Sequence, residues 1–346
     1  MPQARLIGWD IGGAHLKCAA FDEAGELLAV RQLPCPLWQG LHELELACAA
    51  IAAAWGLVDA RHILTMTGEL CDLFPTRAAG VRAIVAAMVA RFGDERVRIY
   101  ARQAGLVRSA AVAASEVASM NWHATATALA HCRGEALLID VGSTTTDVIR
   151  VEKGGVVTSG HDDRGRLVSD ELVYQGVVRT PVMAVSARVL YAGQWQGLAA
   201  EYFANMADVH RLTGDLPPHA DLLPSADGRG KTLAESAARL ARMVGDDASE
   251  AGLPALQALA GELAAAQLTR LGAAVRRVEE GRCAPLPAIV GAGIGRFLVR
   301  RWADGNGRPY VDFAQALALP IPLAEQASDC APAVAVGWLG RSLPWA

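Results

Sequence analysis

Three observations predict an α/β fold in two lobes. The chain is 346 residues long, more than one simple core serves well. Short aliphatic and β-branched runs alternate with Ala-rich segments of helical length. One device, an apolar strand ending in aspartate, then a glycine turn, then a second strand, occurs near residue 10 and again near residue 140.

In chain order, residues 4–10, 16–21 and 27–33 read as strands, the last two joined by the hairpin turn Asp22-Glu23-Ala24-Gly25. Between the first two lies Asp10-Ile11-Gly12-Gly13-Ala14-His15-Leu16-Lys17. Gly12 and Gly13 let a phosphate approach the backbone and Lys17 offers a point charge, although a plain glycine turn with a surface lysine has the same residues. Only three lysines occur in the chain, and one of them falls in this loop. A helix at 41–55 and a strand at 61–67 lead to Gly68-Glu69-Leu70. Glu69 stands just past a strand end, where open α/β sheets place ligand-facing carboxylates, and where it would equally cap the next helix. Helix 77–92, strand 96–100 and helix 119–131 follow, the last entered through Met120-Asn121-Trp122-His123 with Asn121 as its cap.

The stretch Leu137 to Val151 organises the chain. Leu137 to Ile139 and Val148/Ile149/Val151 are buried strands, and between them Gly142 permits a tight turn while Ser143, Thr144, Thr145 and Thr146 offer hydroxyls and amides to phosphate oxygens. Asp140 and Asp147 flank this cradle, and carboxylates beside phosphate require a cation between them. A polar β-hairpin is the plainer reading.

Residues 161–167, including Asp162 and Asp163, read as a polar loop. Glu201 to Val209 reads as a helix whose Glu201, Asn205 and Asp208 share one face, solvated or cation-binding. Asp227-Gly228-Arg229-Gly230-Lys231-Thr232 ends like a Walker loop but has Ser225 where the first glycine belongs. Thr232 to Glu235 is instead a capping box. A long amphipathic helix spans 254–280. Then strand 287–290, the turn Gly291-Ala292-Gly293-Ile294-Gly295 and helix 296–302 make a seat for phosphate or ribose. A last helix covers 332–339.

Composition narrows the function. A net charge of −4 gives no bulk electrostatic case for nucleic acid, and no apolar run is long enough for a bilayer. The N-terminal apolar run is too short for a secretion signal. Seven scattered cysteines without a C-x-x-C pair suit reduced thiols in a cytoplasm, not a disulfide framework or a zinc site.

The ordered set of loops resembles the acetate and sugar kinase/heat-shock-70/actin superfamily, whose segments are named phosphate 1, phosphate 2 and adenosine. The resemblance implies a two-lobed actin-like (ribonuclease H-like) duplicated fold with a helical insertion in the second lobe. Its lobes would be 1–133, closed by a C-terminal helix at about 328–342, and 134–327, with the insertion at about 195–285. At finer grain the chain resembles the hydantoinase A/oxoprolinase-like proteins, in the branch tied to tetrahydromethanopterin-linked C1 transfer, and is similar to a methanofuran-biosynthesis synthase. The residues that carry this are Asp10 to Lys17, Met66 to Leu70, Asn121-Trp122, Ile139 to Asp147, Arg179-Thr180-Pro181 and Asp227-Gly228-Arg229.

That family's reaction, by implication, joins γ-glutamyltyramine through its phenol oxygen to an aminomethylfuran methyl diphosphate, forming an aryl ether and releasing diphosphate. Sugar kinases of the superfamily commonly carry an Asn-Asp pair where this chain has Asn121-Trp122, so hydroxyl phosphorylation loses support. An ATP-dependent small-molecule kinase or a hydantoinase/oxoprolinase-like enzyme of the same fold is the alternative. Candidates for the base that activates the phenol are Asp140, Glu69 and Asp162. Asp10, Gly12, Gly13, Lys17, Gly142, Ser143, Thr144, Thr145, Gly291 and Gly293 would bind the diphosphate, with Mg²⁺ on Asp10, Asp140 and Asp147. A nucleotide is an alternative occupant of these loops that the favoured chemistry does not need. Trp122 would stack on furan or phenol, or only pack. The expected partners are small-molecule substrates, neither nucleic acid nor membrane, and the Ala- and Leu-rich helix at 254–280 offers a face for a homodimer.

Overall fold

The computed structural model describes residues 3–57, 59–281 and 286–343. Cys283 and the end of the expected insertion near 285 lie outside them. The chain divides into two compact units, one of Met1–Ala136, Arg150–Val157 and Val311–Ala346, the other of Leu137–Ile149 and Thr158–Tyr310.

The first unit is built on a six-stranded sheet of β1 (Leu6–Ile11), β2 (His15–Phe21), β3 (Leu27–Pro34), β4 (Arg61–Met66), β5 (Val97–Ala101) and β6 (Gly105–Val107), in the order β3-β2-β1-β4-β5-β6. β1 pairs antiparallel with β2 and parallel with β4, so Asp10 lies between Lys17 and Thr65. Alternation sends Ile7, Trp9 and Ile11 to one face, where they join the core under helices Leu41–Trp55 and Arg77–Phe92. On the other face Gly8 admits helix Ala331–Gly340, whose Ala333 carbonyl would lie 2.1 Å from a Cβ at that position. A side chain at Gly8 would push the helix off the sheet.

The second sheet repeats the opening hairpin. Its strands are β7 (Ala136–Val141), β8 (Thr146–Glu152), β9 (Gly155–Val157) and β10 (Leu172–Val173). After a separate ribbon of β11 (Arg188–Tyr191) and β12 (Gln194–Gly197) come β13 (Ile289–Ala292) and β14 (Tyr310–Asp312). The order is β10-β8-β7-β13-β14, with β9 also on β8. β7 pairs parallel with β13, which places Asp140 opposite Ala292 as Asp10 is placed opposite Thr65. The two hairpin turns also close alike, since the Gly12 amide donates to the His15 carbonyl at 3.0 Å and the Gly142 amide to the Thr145 carbonyl at 2.8 Å. Duplication is therefore visible at the level of single hydrogen bonds.

A separate apolar cluster, including Met206, Val209, Leu240, Leu256 and Leu263, belongs to the helical insertion. Two sequence expectations fail in the second unit. Residues 163–169 form a short helix, because the charge of Asp162 caps it: Asp162 Oδ1 accepts from the Gly165 amide at 2.8 Å. The expected 201–209 helix runs only over Met206–Leu212, because Asn205 and Asp208 form a capping box at its start. Asp208 is no solvated or cation-binding residue, for it is buried and accepts from Arg239 Nη2 at 2.7 Å. The Thr232–Glu235 capping box forms as expected, and Asp227 of the Walker-like stretch pairs with Arg239 at 3.0 Å. No helix among the described residues is long and apolar enough to cross a membrane.

Candidate functional site

In the first unit, Asp10 is buried near the end of β1 with Lys17 Nζ 3.8 Å from its Oδ2. The lysine crosses the hairpin because antiparallel pairing sets it opposite the aspartate. Gly12 and Gly13 form the turn, and a Cβ on Gly13 would stand 2.8 Å from Cys71 Sγ. Glu69 is wedged beside this turn. The Thr67 amide donates to the Ile11 carbonyl at 3.0 Å, a Cβ on Gly68 would stand 3.0 Å from that carbonyl oxygen, and Gly80 lies so close to the Glu69 backbone that a side chain there would collide. Glu69 is only 1% exposed, and Ser119 Oγ donates to its Oε1 at 2.9 Å. Ser119 adopts a left-handed backbone, φ 55°, to do so. In the sequence Ser119 stands at the start of a helical pattern, which carries no sign of this role. Trp122 is buried in helix Asn121–Cys132, packed edge-on against His123 at 5.2 Å between ring centres.

In the second unit the structure brings Asp140, the 142–145 turn and the Gly293–Gly295 turn together. A Cβ on Gly293, where φ is +78°, would lie 2.3 Å from Asp140 Oδ1. The Gly295 amide donates to the Val141 carbonyl at 2.8 Å. Gly291 lies under the Tyr310 ring, whose hydroxyl would be 2.2 Å from a Cβ there. Gly291 is thus a packing glycine, while Gly293 keeps space beside the carboxylate.

The backbone at 176–179 fixes the orientation of the turn's peptides. The Val177 amide donates to the Gly142 carbonyl at 3.1 Å, and the Val178 and Arg179 amides donate to the Ser143 carbonyl at 3.1 and 2.8 Å. In a trans peptide the N–H points opposite to the C=O, so tying these carbonyls back turns the amides of Ser143 and Thr144 away from the clamp, side by side. A pair of amides turned outward in this way, followed by the hydroxyls of Ser143, Thr144 and Thr145, is backbone of the kind that can meet an anion. Thr180 Oγ1 accepts from the Gly176 amide at 2.8 Å, and Arg179 Nη1 lies 3.5 Å from Thr144 Oγ1. Arg179 and Thr180 of the Arg179-Thr180-Pro181 motif therefore brace the turn, a role with no local signature in the sequence.

Two sequence candidates are committed elsewhere. Asp162 is exposed and spends its carboxylate on the helix cap, which removes it as a base. Asp147 accepts from Arg166 Nη2 at 2.8 Å, and Arg166 is only 1% exposed. That ion pair neutralises Asp147 inside the unit, so it does not fit a metal ligand. Among the described residues no group of three or more His, Cys, Asp or Glu gathers to hold a metal. Mg²⁺ needs no such group, since it keeps its waters and takes one or two carboxylates plus substrate phosphates. Asp10 in the first unit, and Asp140 in the second with the space kept by Gly293, each offer one carboxylate of that kind.

A family described as hydantoinase/oxoprolinase matches residues 62–318. The chain is 29% identical over 242 residues to the (4-{4-[2-(γ-L-glutamylamino)ethyl]phenoxymethyl}furan-2-yl)methanamine synthase of Methanocaldococcus jannaschii, covering 69% of this chain and 71% of that protein. It is 28% identical over 114 residues to the synthase of the same name from Methanococcus vannielii, spanning 33% of this chain and about half (51%) of that relative. Among solved structures, a nucleotide-free acetone carboxylase superposes with a TM-score of 0.58 at 11% identity, over 96% of this chain and 70% of that one. This likeness is one of fold. The duplicated hairpins and their sheets are those of the two-lobed actin-like fold, and the chain belongs to the hydantoinase/oxoprolinase family.

Proposed function

We propose that this chain is an aryl-ether-forming transferase of methanofuran-type biosynthesis, joining the phenol oxygen of γ-glutamyltyramine to the exocyclic carbon of an aminomethylfuran methyl diphosphate and releasing diphosphate. The observation that carries the reading is the match to synthases whose named product contains that phenoxymethyl link. The furan stabilises positive charge on its exocyclic carbon, so the C–O bond breaks with both electrons leaving on the diphosphate. The phenol oxygen then forms the new C–O bond and its proton passes to a base. What the chain must do is hold the departing anion, keep water from the cation and accept that proton.

The residues support this division of work. The Ser143 and Thr144 amides, tied back through 176–179, would bind the diphosphate, and the Gly12-Gly13 turn with Lys17 would offer a second anion seat. Asp10 in the first unit and Asp140 in the second would each offer a carboxylate to Mg²⁺, which supplies charge neutralisation of the diphosphate when bound. Glu69, buried and oriented by Ser119, is the base we propose for the phenol, with Asp140 left to the metal. The described cysteines are all free thiols, which supports the cytoplasm as the compartment.

Incubation with the furan diphosphate and γ-glutamyltyramine, with and without ATP, tests the reading. One diphosphate should appear per ether formed, independent of ATP. Turnover only with ATP, or none with either, would refute it.

A further inference from the structure

Two side chains of the helical insertion reach the back of the 142–145 turn. Gln267, in helix Leu253–Val278, donates from Nε2 to the Gly176 carbonyl at 2.9 Å. That orientation leaves Gln267 Oε1 facing His210 Nε2, 2.8 Å away in helix Met206–Leu212. An amide oxygen only accepts, so the proton is on His210 Nε2 and the neutral ring leaves Nδ1 as an acceptor. Nδ1 is buried and has no hydrogen-bond partner among the described residues. Protonating it would bury an unsatisfied N–H, and burial pushes the imidazole pKa down to about 4. The relay Nε2–H to Oε1, Nε2–H to Gly176 carbonyl is therefore fixed in one direction.

Both side chains are almost fully buried, Gln267 at 3% exposure and His210 at 0%. An apolar pair would fill the space without the desolvation that these polar groups carry. What only the polar pair supplies is a fixed position for the peptide of Gly176. That peptide matters because Gly176 lies flat on the turn, where a Cβ would stand 2.4 Å from the Ser143 carbonyl carbon and from the Thr144 nitrogen. The next three residues then tie back the Gly142 and Ser143 carbonyls. His210 also packs edge-on against Phe297, 5.1 Å between ring centres, in the first turn of the helix that follows Gly295. Arg301 of that helix pairs with Asp215, just beyond the His210 helix, at 2.7 Å. One corner of the insertion is thus bound to both glycine turns of the second unit.

We infer that Gln267 and His210 are positioning residues for the diphosphate turn: by fixing the Gly176 carbonyl they hold the 176–179 clamp in the register that aims the Ser143 and Thr144 amides at the anion. The inference rests on the reading of this turn as the seat of the leaving diphosphate. The insertion would then be part of the binding machinery, reaching it through the backbone and not through contact with the substrate.

Calorimetry with inorganic pyrophosphate and Mg²⁺, together with steady-state kinetics, tests this on the full chain. Wild type should bind pyrophosphate. Gln267→Met should weaken that binding about tenfold or more and raise KM for the furan diphosphate by a similar factor, with KM for the phenol within about twofold. His210→Gln, which keeps a donor, should stay within about threefold of wild type, whereas His210→Met should follow Gln267→Met. Leu263→Ala, in the apolar cluster of the same helix, serves as the stability control: it should lower Tm without changing pyrophosphate affinity. Unchanged affinity in Gln267→Met, or an equal loss in Leu263→Ala, overturns the positioning role while leaving the turn as the anion seat. A wild-type chain that does not bind pyrophosphate overturns both.

Discussion

Ser119 Oγ donates a 2.9 Å hydrogen bond to Glu69 Oε1 from a backbone held at φ 55°, a conformation that costs a non-glycine residue about 1–2 kcal/mol. The hydroxyl and the strain can be separated. Ser119→Ala keeps the strained backbone and loses the hydroxyl, while Ser119→Gly loses the hydroxyl and relieves the strain. In urea unfolding, the glycine variant should be the more stable of the two by about 1 kcal/mol. Both should lose turnover, because Glu69 is no longer oriented. Full activity in either would remove Glu69 orientation from the account.

Asp140 and Asp147 should separate function from stability. Asp140→Asn should abolish diphosphate release and leave the denaturant midpoint near wild type. Asp147→Asn strips the buried Arg166 of its counter-charge and should cost roughly 3–5 kcal/mol in unfolding free energy. The opposite pattern would exchange their roles.

Gly176→Ala forces a carbon against the Ser143–Thr144 peptide and should weaken pyrophosphate binding by about tenfold or more. Gly197→Ala is the comparison, since a Cβ there meets nothing within 4 Å. It should bind pyrophosphate as wild type does.

Burial lowers the pKa of His210 to about 4 and of His62 to about 3, from an ordinary value of 6.5. His210 faces Asp215, which raises its pKa, and Arg301, which lowers it, yet desolvation dominates. Below pH 6.5 the unfolded chain takes up protons that the folded chain refuses. The stability these neutral rings confer is therefore complete above about pH 7 and falls with acidification, through about pH 4 for His210 and about pH 3 for His62. Unfolding free energy measured from pH 7 to 4 should decline by roughly 3 kcal/mol less in His210→Gln than in wild type. Parallel curves would mean that His210 does not titrate in this way.

What the sequence makes legible is local. Helices 41–55 and 77–92 and the two aspartate hairpins are where apolar periodicity and glycine placement put them, because these signals act within a few residues. The capping roles of Asp162 and Asn205 are local too, yet their charge and polarity read equally well as a loop and as a wet face. The brace at Arg179-Thr180-Pro181, the Asp147–Arg166 pair and the left-handed Ser119 are different. Each depends on a partner some 20 to 50 residues away in the chain, which only the folded sheet brings near. The loops could be found without the fold, but their supports could not.

The central claim is that carbon, not phosphorus, is attacked. γ-Glutamyltyramine carrying ¹⁸O at its phenol oxygen, turned over with unlabelled furan diphosphate, tests it most directly. All of the label should appear in the ether product and none in the released diphosphate. Label bonded to phosphorus in any product would mean phosphoryl transfer to the phenol and would contradict it.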